Sequence, residues 1–273
     1  MTHLVLGSAG QIGSHLVEYL KRQGEKVYEM DILNNEWEDL RIQDNMILDE
    51  YLVECDIVYF LAFDVGGAKY LEKYQDTSEF ILNNMKIMSN TFDSIWQSGK
   101  PFIFASSQMA EMSYSSYGML KALGEKITKD RKGVLVKFWN VYGKEHDEEK
   151  SHVITDFIKM AKNDGVIKMR TDGTESRQFL YAEDACEALF HLAKHWSKLP
   201  KDKEYHVSSF EWNKVKEIAD FLDVISSCKV IPSDRKDETQ RNAMNEPDRF
   251  ILKYWKPKTS LKDGIMKLYN LED

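Results

Sequence analysis

Three glycines near the N-terminus are spaced to hold a phosphate group. In the stretch "LVLGSAGQIGSHLVEYL", residues 4–20, Gly7, Gly10 and Gly13 follow an apolar run and precede an amphipathic one. Gly7 can end a strand, Gly10 lets the backbone approach a pyrophosphate, and Gly13 lets a helix pack closely on the strand. The amides at the start of that helix then face the phosphates. Ordinary turns show the same spacing, so the strand that follows is needed to distinguish a phosphate site from a turn.

That next apolar run ends in an acidic residue suited to a ribose. "KVYEMD" closes on Asp31, close to the ~20 residues past the loop at which an acidic side chain accepts hydrogen bonds from an adenosine ribose. Residues 32–38 contain no Arg or Lys to pair with a 2′-phosphate. A loop-capping aspartate is the alternative. Strand, loop, helix and acid in this order predict a dinucleotide site that takes NAD rather than NADP.

A serine, a tyrosine and a lysine form a second chemical motif. In "FIFASSQMAEMSYSSYGMLK", Ser107 ends a predicted strand, and Tyr117 and Lys121 lie one helical turn apart on one face. A phenol has a pKa near ~10 and acts as a base at neutral pH only where a cation favours the phenolate. Lys121 and the positive ring of an oxidised nicotinamide can supply that field. Ser107 would then hold a substrate hydroxyl while Tyr117 removes its proton. A surface Tyr–Lys pair is the alternative.

These motifs require a parallel sheet whose strand ends meet. The first half of the chain alternates helical patterns with short β-rich runs, among them "HLVLG", "KVYEMD", "DIVYFLAF", "FIFASS" and "GVLVKFWN". Such alternation is typical of βαβ units, and continuous apolarity in "IVYFLA" suits strands covered by helices on both faces. The predicted fold class is α/β, a Rossmann-like doubly wound parallel sheet with a smaller C-terminal α/β substrate lobe.

The character of the sequence changes after Asn140. The charged segment "GKEHDEEK" is typical of a solvated loop, and "AEDACEALFHLAKHW" has a helical pattern. We expect residues 1–144 and about 179–207 to form the NAD-binding domain. Residues 145–178 and 208–273 are then expected to form the substrate-binding lobe.

Composition argues against several classes of function. The chain has 273 residues and a net charge of −8, which disfavours nucleic acid as a partner. Cys55, Cys186 and Cys228 lie far apart without a CxxC pair, so neither a disulfide framework nor a metal site is expected. No apolar run approaches the ~20 residues that span a bilayer, and the N-terminus lacks a signal-peptide pattern. We expect a cytoplasmic protein without a membrane partner.

Together these residues resemble the extended short-chain dehydrogenase/reductase family, the nucleotide-sugar epimerases and dehydratases. The resemblance covers nearly the whole chain, with "GSAGQIG", "DLR", "FLAF", "NNMKIMSN", "SS", "YGMLK", "KFWNVYG", "SHVITDFI" and "SRQFLYAEDACEAL" in the family's order. It implies NAD as the cofactor and a nucleotide-diphosphate sugar as the substrate. It also implies that Ser107, Tyr117 and Lys121 are the catalytic triad.

The resemblance assigns binding roles as well. Asn140 matches a position that touches the sugar or its nucleotide, and Arg177 and Arg241 match positions that grip the diphosphate. A guanidinium suits phosphate oxygens, with a surface salt bridge as the alternative for each arginine. The implied cofactor-binding residues are Gly7, Gly10, Gln11, Ile12 and Gly13 at the pyrophosphate, Asp31 at the ribose, Asp39 and Leu40 at the adenine, Leu61 and Ala62 near the nicotinamide, and Tyr117 and Lys121.

Departures from the family pattern narrow the reaction. Members that eliminate water resemble one another in an Asp-Glu pair just after the catalytic serine or threonine, where this chain has Gln108 and Met109. "FDVGGAKY" resembles the GDP-fucose synthase branch, in which a histidine at the place of His152 serves as an acid. That branch pairs its histidine with a cysteine where Met109 stands, which argues against 3,5-epimerisation. His152 is therefore either a structural or a substrate-binding residue.

The chemistry common to the family remains, in which Tyr117 and NAD oxidise a sugar hydroxyl, expected at C4, to a ketone. We expect an epimerase that returns the hydride to the other face of the sugar. A 4-dehydrogenase or a 4-ketoreductase would use the same residues. A non-catalytic NAD-binding protein is less consistent with the complete Ser107, Tyr117 and Lys121 set, and a small neutral alcohol as substrate is less consistent with the two arginines.

The family's homodimers imply a partner for this chain. They commonly form where the helix containing Asn84 and the helix containing Tyr117 pair with their symmetry mates. Here "MKIMSNTF" and "MLKALGEKI" offer apolar faces, although such faces are also typical of a core. We expect a homodimer.

Overall fold

The computed structural model describes residues 1–145, 147–240 and 245–271. Its strands are β1 (Thr2–Leu6), β2 (Lys26–Met30), β3 (Ile57–Phe60), β4 (Phe102–Ser107), β5 (Val134–Phe138), β6 (Asn140–Tyr142), β7 (Val166–Lys168), β8 (Ser176–Arg177), β9 (Phe179–Tyr181), β10 (Glu204–Val207), β11 (Asn213–Lys214) and β12 (Lys229–Ile231). Its α-helices are α1 (Gln11–Arg22), α2 (Met46–Glu54), α3 (Ala68–Tyr74), α4 (Ser78–Ser98), α5 (Ser116–Asp130), α6 (Val153–Asn163), α7 (Ala182–Lys194), α8 (Val215–Ser226) and α9 (Leu261–Leu271).

Six parallel strands form the central sheet in the order β10-β5-β4-β3-β1-β2. The predicted α/β class and parallel sheet are confirmed. Because β1 pairs with β2 on one side and with β3 on the other, the winding direction reverses at β1 and β3. A crevice opens at the carboxyl ends of the strands at such a reversal, which is where ligands bind in open α/β sheets.

Helices cover both faces of this sheet. Alternate residues of a strand point to opposite faces, so Val5 packs with Leu16 and Leu189 on the side of α1 and α7. Leu4 packs with Phe92 on the side of α2, α4 and α5. Burial on both sides explains why the strands appear in the sequence as continuous apolar runs.

The remaining elements form a smaller cluster beyond the edge of the sheet. Paired short strands, β6 with β9, β7 with β12 and β8 with β11, surround a third core together with α6, α8 and α9. Ile158, Leu222 and Leu268 are fully buried there. Strand β10 joins the central sheet through β5, while the proposed domain boundaries remain a prediction.

Two further properties concern the part of the chain that the structure describes. Cys55, Cys186 and Cys228 are buried and unpaired. None of the helices there has both the length and the apolarity to cross a membrane.

Candidate active site

A cavity of about 650 Å³ opens at the carboxyl edge of the central sheet. Every predicted site residue that the structure describes lines it, namely Gly7, Gly10, Gln11, Ile12, Gly13, Asp31, Asp39, Leu40, Leu61, Ala62, Ser107, Tyr117, Lys121, Asn140, His152 and Arg177. Arg241 lies outside the described residues. The fold thus brings these residues to one cavity, while their individual roles remain predictions.

The glycine loop forms a cradle that side chains would fill. Gly7 has a φ of +86°, and a Cβ there would lie 2.7 Å from the Ala62 Cα. A Cβ at Gly13 would lie 1.9 Å from the Gly7 carbonyl oxygen, so only glycine lets the start of α1 pack against β1. The first amides of a helix lack intrahelical partners and carry its positive dipole end. The cradle therefore fits the pyrophosphate of a dinucleotide.

Two carboxylates lie at the end of β2. Asp31 accepts hydrogen bonds from the backbone amides of Ala9 (3.1 Å) and Leu33 (3.0 Å), which fix its carboxylate at the cavity wall. Glu38 accepts from the Asp31 amide at 2.9 Å and also lines the cavity, although the sequence analysis did not single it out. A 2′-phosphate would meet both negative charges, so the pair favours NAD over NADP.

Arg41, a cation at the Asp39 end of the cavity, is already paired. Arg41 Nε donates to Asp39 Oδ1 at 2.9 Å, and its Nη2 donates to Asp39 Oδ2 at 2.8 Å. Burial works to raise the pKa of Asp39, but the hydrogen bonds and charge of Arg41 outweigh it and the pKa is lowered. Because its charge is matched, Arg41 does not convert this end into a 2′-phosphate site.

Helix α5, which contains Tyr117 and Lys121, starts very close to the end of β4. Ser115 caps the helix by accepting from the Gly118 amide at 3.1 Å. A Cβ at Gly118 would lie 2.1 Å from the Met109 carbonyl oxygen, so this glycine lets α5 contact the turn that follows Ser107. The Tyr117 side chain is buried beside Ser107 as a result.

Burial shifts both titrating groups of the triad toward their neutral forms. It raises the pKa of Tyr117 to about 12, with a Ser107 hydrogen bond acting in the opposite direction. It lowers the pKa of Lys121 to about 7, with Glu125 acting in the opposite direction. Lys121 Nζ donates to the Ala105 carbonyl at 2.7 Å and lies 3.8 Å from the centre of the Phe63 ring. The free protein therefore holds an uncharged phenol whose activation depends on added positive charge.

His152 has a carboxylate partner that the sequence analysis missed. Glu145 accepts from the His152 backbone amide at 2.9 Å, and its Oε1 lies 2.5 Å from His152 Nδ1. Burial acts to lower the pKa of His152, but the Glu145 charge and hydrogen bond outweigh it and the pKa is raised. Glu145 is only 5% exposed, although it lies in the segment expected to be solvated. That expectation was wrong for this residue because tertiary contacts bury it against His152 and Thr155.

A backbone contact brings this pair to the cavity. The Gly67 amide donates to the Lys150 carbonyl at 2.9 Å, and a Cβ at Gly67 would lie 2.2 Å from the Ser151 carbonyl oxygen. Lys150 Nζ also pairs with Asp64 at 3.0 Å. The loop after β3 is thereby joined to the segment that precedes His152.

The predicted substrate-binding residues differ in whether their polar atoms already have partners within the protein. Arg177 forms a largely buried ion pair with Asp237, and its Nη1 donates to the Ser176 carbonyl at 2.6 Å. Among the residues that the structure describes, Asn140 Oδ1 and the neighbouring Trp139 Nε1 are buried without a hydrogen-bond partner. Since buried polar groups are almost always paired, this acceptor and this donor are free to meet a ligand.

The Glu145–His152 pair leads to a prediction on stability. The folded His152 pKa lies above its ordinary value of 6.5, so the pair's stabilisation is complete below that pH and is lost as pH rises through the folded pKa. We expect Glu145→Gln to lower the His152 pKa and to remove this pH-dependent loss of stability. NMR titration of the imidazole and thermal unfolding above pH 6 measure both.

Glu148→Gln is the matched control for that prediction. Glu148 lies in the same segment, is 83% exposed and pairs with Lys159. It should leave the His152 titration unchanged. Equal effects of the two substitutions would contradict a specific pair.

Comparison with known proteins identifies the family. A sequence model of the NAD dependent epimerase/dehydratase family matches residues 3–208. The chain belongs to this family. It is 25% identical to GDP-L-fucose synthase from Sinorhizobium fredii, over 97% of this chain and 93% of that protein. It is 27% identical to a putative UDP-glucose 4-epimerase from Methanocaldococcus jannaschii, over 98% and 97%.

A solved structure agrees with the fold. The UDP-glucose 4-epimerase of Thermotoga maritima, determined with UDP-glucose, has a TM-score of 0.81 and 19% identity, covering 99% of this chain and 98% of that one. The predicted extended short-chain dehydrogenase/reductase family is confirmed, and so are the enzyme class and NAD as cofactor. As a member of this family, the protein is an NAD-dependent enzyme of the epimerase/dehydratase type.

Proposed function

We propose that the protein is a nucleotide-sugar 4-epimerase that oxidises the C4 hydroxyl to a ketone and reduces it again from the opposite face. One observation carries the proposal: a single cavity joins the glycine cradle, the Ser107, Tyr117 and Lys121 set and the Arg177 region. Gln108 and Met109 stand where water-eliminating relatives have an acidic pair. The site therefore has the groups for oxidation and reduction without those for dehydration.

The chain's own residues bind, orient and move a proton. Ser107 accepts or donates a hydrogen bond at the substrate hydroxyl, and Tyr117 removes the hydroxyl proton and later returns it. Lys121 supplies the positive charge that favours the phenolate. The glycine cradle and Asp31 would hold NAD, which would supply the capacity to accept a hydride and to return it. Arg177 and the unpaired Asn140 would hold the diphosphate and sugar so that the ketone can present its other face.

A panel of UDP-, GDP-, dTDP- and CDP-sugars tests the proposal. The purified protein is incubated with each sugar and NAD while absorbance reports NADH and NMR reports products. A new C4 epimer without net NADH is the expected result. Stoichiometric NADH with a released keto sugar would make the protein a dehydrogenase. Silence with every sugar from a protein that still binds NAD would favour a non-catalytic binder.

A 4-ketoreductase is the second candidate, and the Glu145–His152 pair favours it. The Glu145 charge and hydrogen bond outweigh burial and raise the His152 pKa, which places a proton donor in the cavity besides Tyr117. In a 4-epimerase Tyr117 returns the proton that it removed, whereas net reduction of a ketone consumes a proton, which His152 could resupply to Tyr117. Oxidation of NADH by a 4-keto sugar that exceeds the rate of epimerisation would decide for this candidate.

We also propose that the protein is a homodimer, formed through α4 and α5. These helices pack side by side and leave Leu82 (53% exposed), Met85 (46%), Met119 (52%) and Leu123 (46%) uncovered. We expect Leu123→Glu to convert a dimer to a monomer in light scattering, because the charge would lie in the interface. Val224→Glu on α8, where valine is 79% exposed, is the control. A monomeric parent protein, or a dimer that survives Leu123→Glu, would contradict this interface.

A cytoplasmic location stays a prediction.

A further inference from the structure

A buried ionic network lies behind the catalytic helix. Lys137 in β5 is only 2% exposed, and its Nζ lies 2.8 Å from Glu204, 3.1 Å from Glu111 and 3.4 Å from Glu125. Lys129 joins it from the exposed side by pairing with Glu204 at 2.6 Å. Lysine is almost never buried unless it is paired. A lysine among three carboxylates is a costly arrangement, and one of those carboxylates, Glu125, accepts a hydrogen bond from Ser106, which lines the active-site cavity.

Glu125 connects the network to the catalytic residues. Tyr117, Lys121 and Glu125 follow one another at four-residue intervals, so they share a face of α5. Ser106 Oγ donates to Glu125 Oε1 at 2.6 Å, and Lys121 Nζ donates to the Ala105 carbonyl at 2.7 Å. Ala105 and Ser106, the two residues of β4 that directly precede Ser107, therefore hold the side chains of Lys121 and Glu125 in place.

We propose that Glu125 is a positioning residue for Lys121, because its carboxylate, fixed by Ser106 and Lys137 one helical turn from Lys121 on the same face of α5, favours the cationic form of Lys121 beside Tyr117. The effect on turnover rests on the proposed function, in which Lys121 activates the phenol. The effect on Lys121 itself does not depend on any substrate. Lys137 has a supporting part, since its Nζ pairs with the buried Glu125 carboxylate at 3.4 Å and helps to hold it in place.

The other groups that face Lys121 do not replace Glu125. From the loop after β3 comes the Phe63 ring at 3.8 Å, from β4 the Phe104 ring at 5.1 Å, and from α5 the Tyr117 ring at 5.9 Å. Aromatic faces attract a cation but carry no net charge. Burial lowers the Lys121 pKa, and the charge of Glu125 raises it.

Titration of Lys121 in the full-length protein tests the proposal directly. Lysines are labelled with ¹³C at Cε, and the Lys121 signal is the one that Lys121→Met removes. We expect Glu125→Gln to lower the Lys121 pKa by about one unit or more. Glutamine keeps the size of the side chain and can still accept from Ser106. An unchanged Lys121 pKa in Glu125→Gln would overturn the proposal.

Glu111→Gln is the matched control. Like Glu125→Gln, it removes a carboxylate that pairs with Lys137, but Glu111 is 48% exposed. It should shift the Lys121 pKa much less, and equal shifts in both variants would also overturn the proposal. Should Glu125→Gln not fold, Glu125→Asp is titrated instead. Its carboxylate is withdrawn by one methylene, so a smaller lowering is expected, and no lowering would count against the proposal.

Turnover gives a second measurement that separates this inference from the proposed function. If Lys121 must be charged, kcat falls as pH rises through its pKa. Glu125→Gln should therefore move the alkaline limb of the kcat profile to lower pH by the same amount as the titration. If the parent protein turns over no nucleotide sugar, the proposed function fails while the Lys121 titration still decides the role of Glu125.

Discussion

Tyr117→Phe is expected to reduce kcat for the active nucleotide sugar by about 10²- to 10⁴-fold, because it removes the group that exchanges a proton with the substrate. The phenol is buried next to Ser107, which is proposed to hold the substrate hydroxyl, so its removal deprives that hydroxyl of its proton-transfer partner. The affinity for NAD should change little, since the glycine cradle and Asp31 are untouched. Steady-state kinetics and calorimetric titration with NAD measure the two effects.

Tyr205→Phe is the matched control for this substitution. Tyr205 is also fully buried, and its hydroxyl donates to the Pro200 carbonyl at 3.0 Å, but it does not line the cavity. It should keep kcat while losing about 1 kcal/mol of stability with its hydrogen bond. A Tyr117→Phe protein that retains more than a tenth of the parent kcat would rule out the phenol as the proton-transfer group.

The elements that the sequence predicted well are those whose signals are local. The close contact between β1 and α1 requires glycine at positions 7 and 13, and both positions lie in one short stretch of sequence. The same holds for Tyr117 and Lys121, whose common face follows from helix geometry alone. Continuous apolarity indicated the buried strands because helices cover both faces of the sheet.

What the sequence did not predict depends on contacts between distant segments. Asp237 lies 60 residues from Arg177, and no local pattern indicates that the two form an ion pair. Glu145 was placed in a solvated loop because its neighbours are charged, yet its burial is set by the fold around His152. Strand β10 has a short apolar pattern, and its place in the sheet is fixed by pairing with β5. Such pairings become visible only when the chain is folded.

The glycine cradle gives the second large expected effect. In Gly13→Ala a Cβ would lie 1.9 Å from the Gly7 carbonyl oxygen and 3.0 Å from the Ser8 Cα. Both are backbone atoms, so the loop or the start of α1 must move. We expect a loss of about 1–3 kcal/mol of stability from overpacking, partly offset by the ~1 kcal/mol that alanine gains over glycine in a helix. Binding of NAD should weaken by more than 100-fold, because the displaced amides are those that face the pyrophosphate.

Gly10→Ala separates the two consequences of that substitution. Its Cβ would lie 3.3 Å from the Gly7 carbonyl oxygen, and Gly10 has a φ of −71° that any residue adopts. The fold should therefore tolerate alanine, whereas the methyl group would stand where the backbone approaches the pyrophosphate. Thermal unfolding near that of the parent protein, together with weakened NAD binding, is the expected result. Parent-like NAD affinity in both variants would show that the dinucleotide does not bind at this loop, because a pyrophosphate held there cannot avoid both changes.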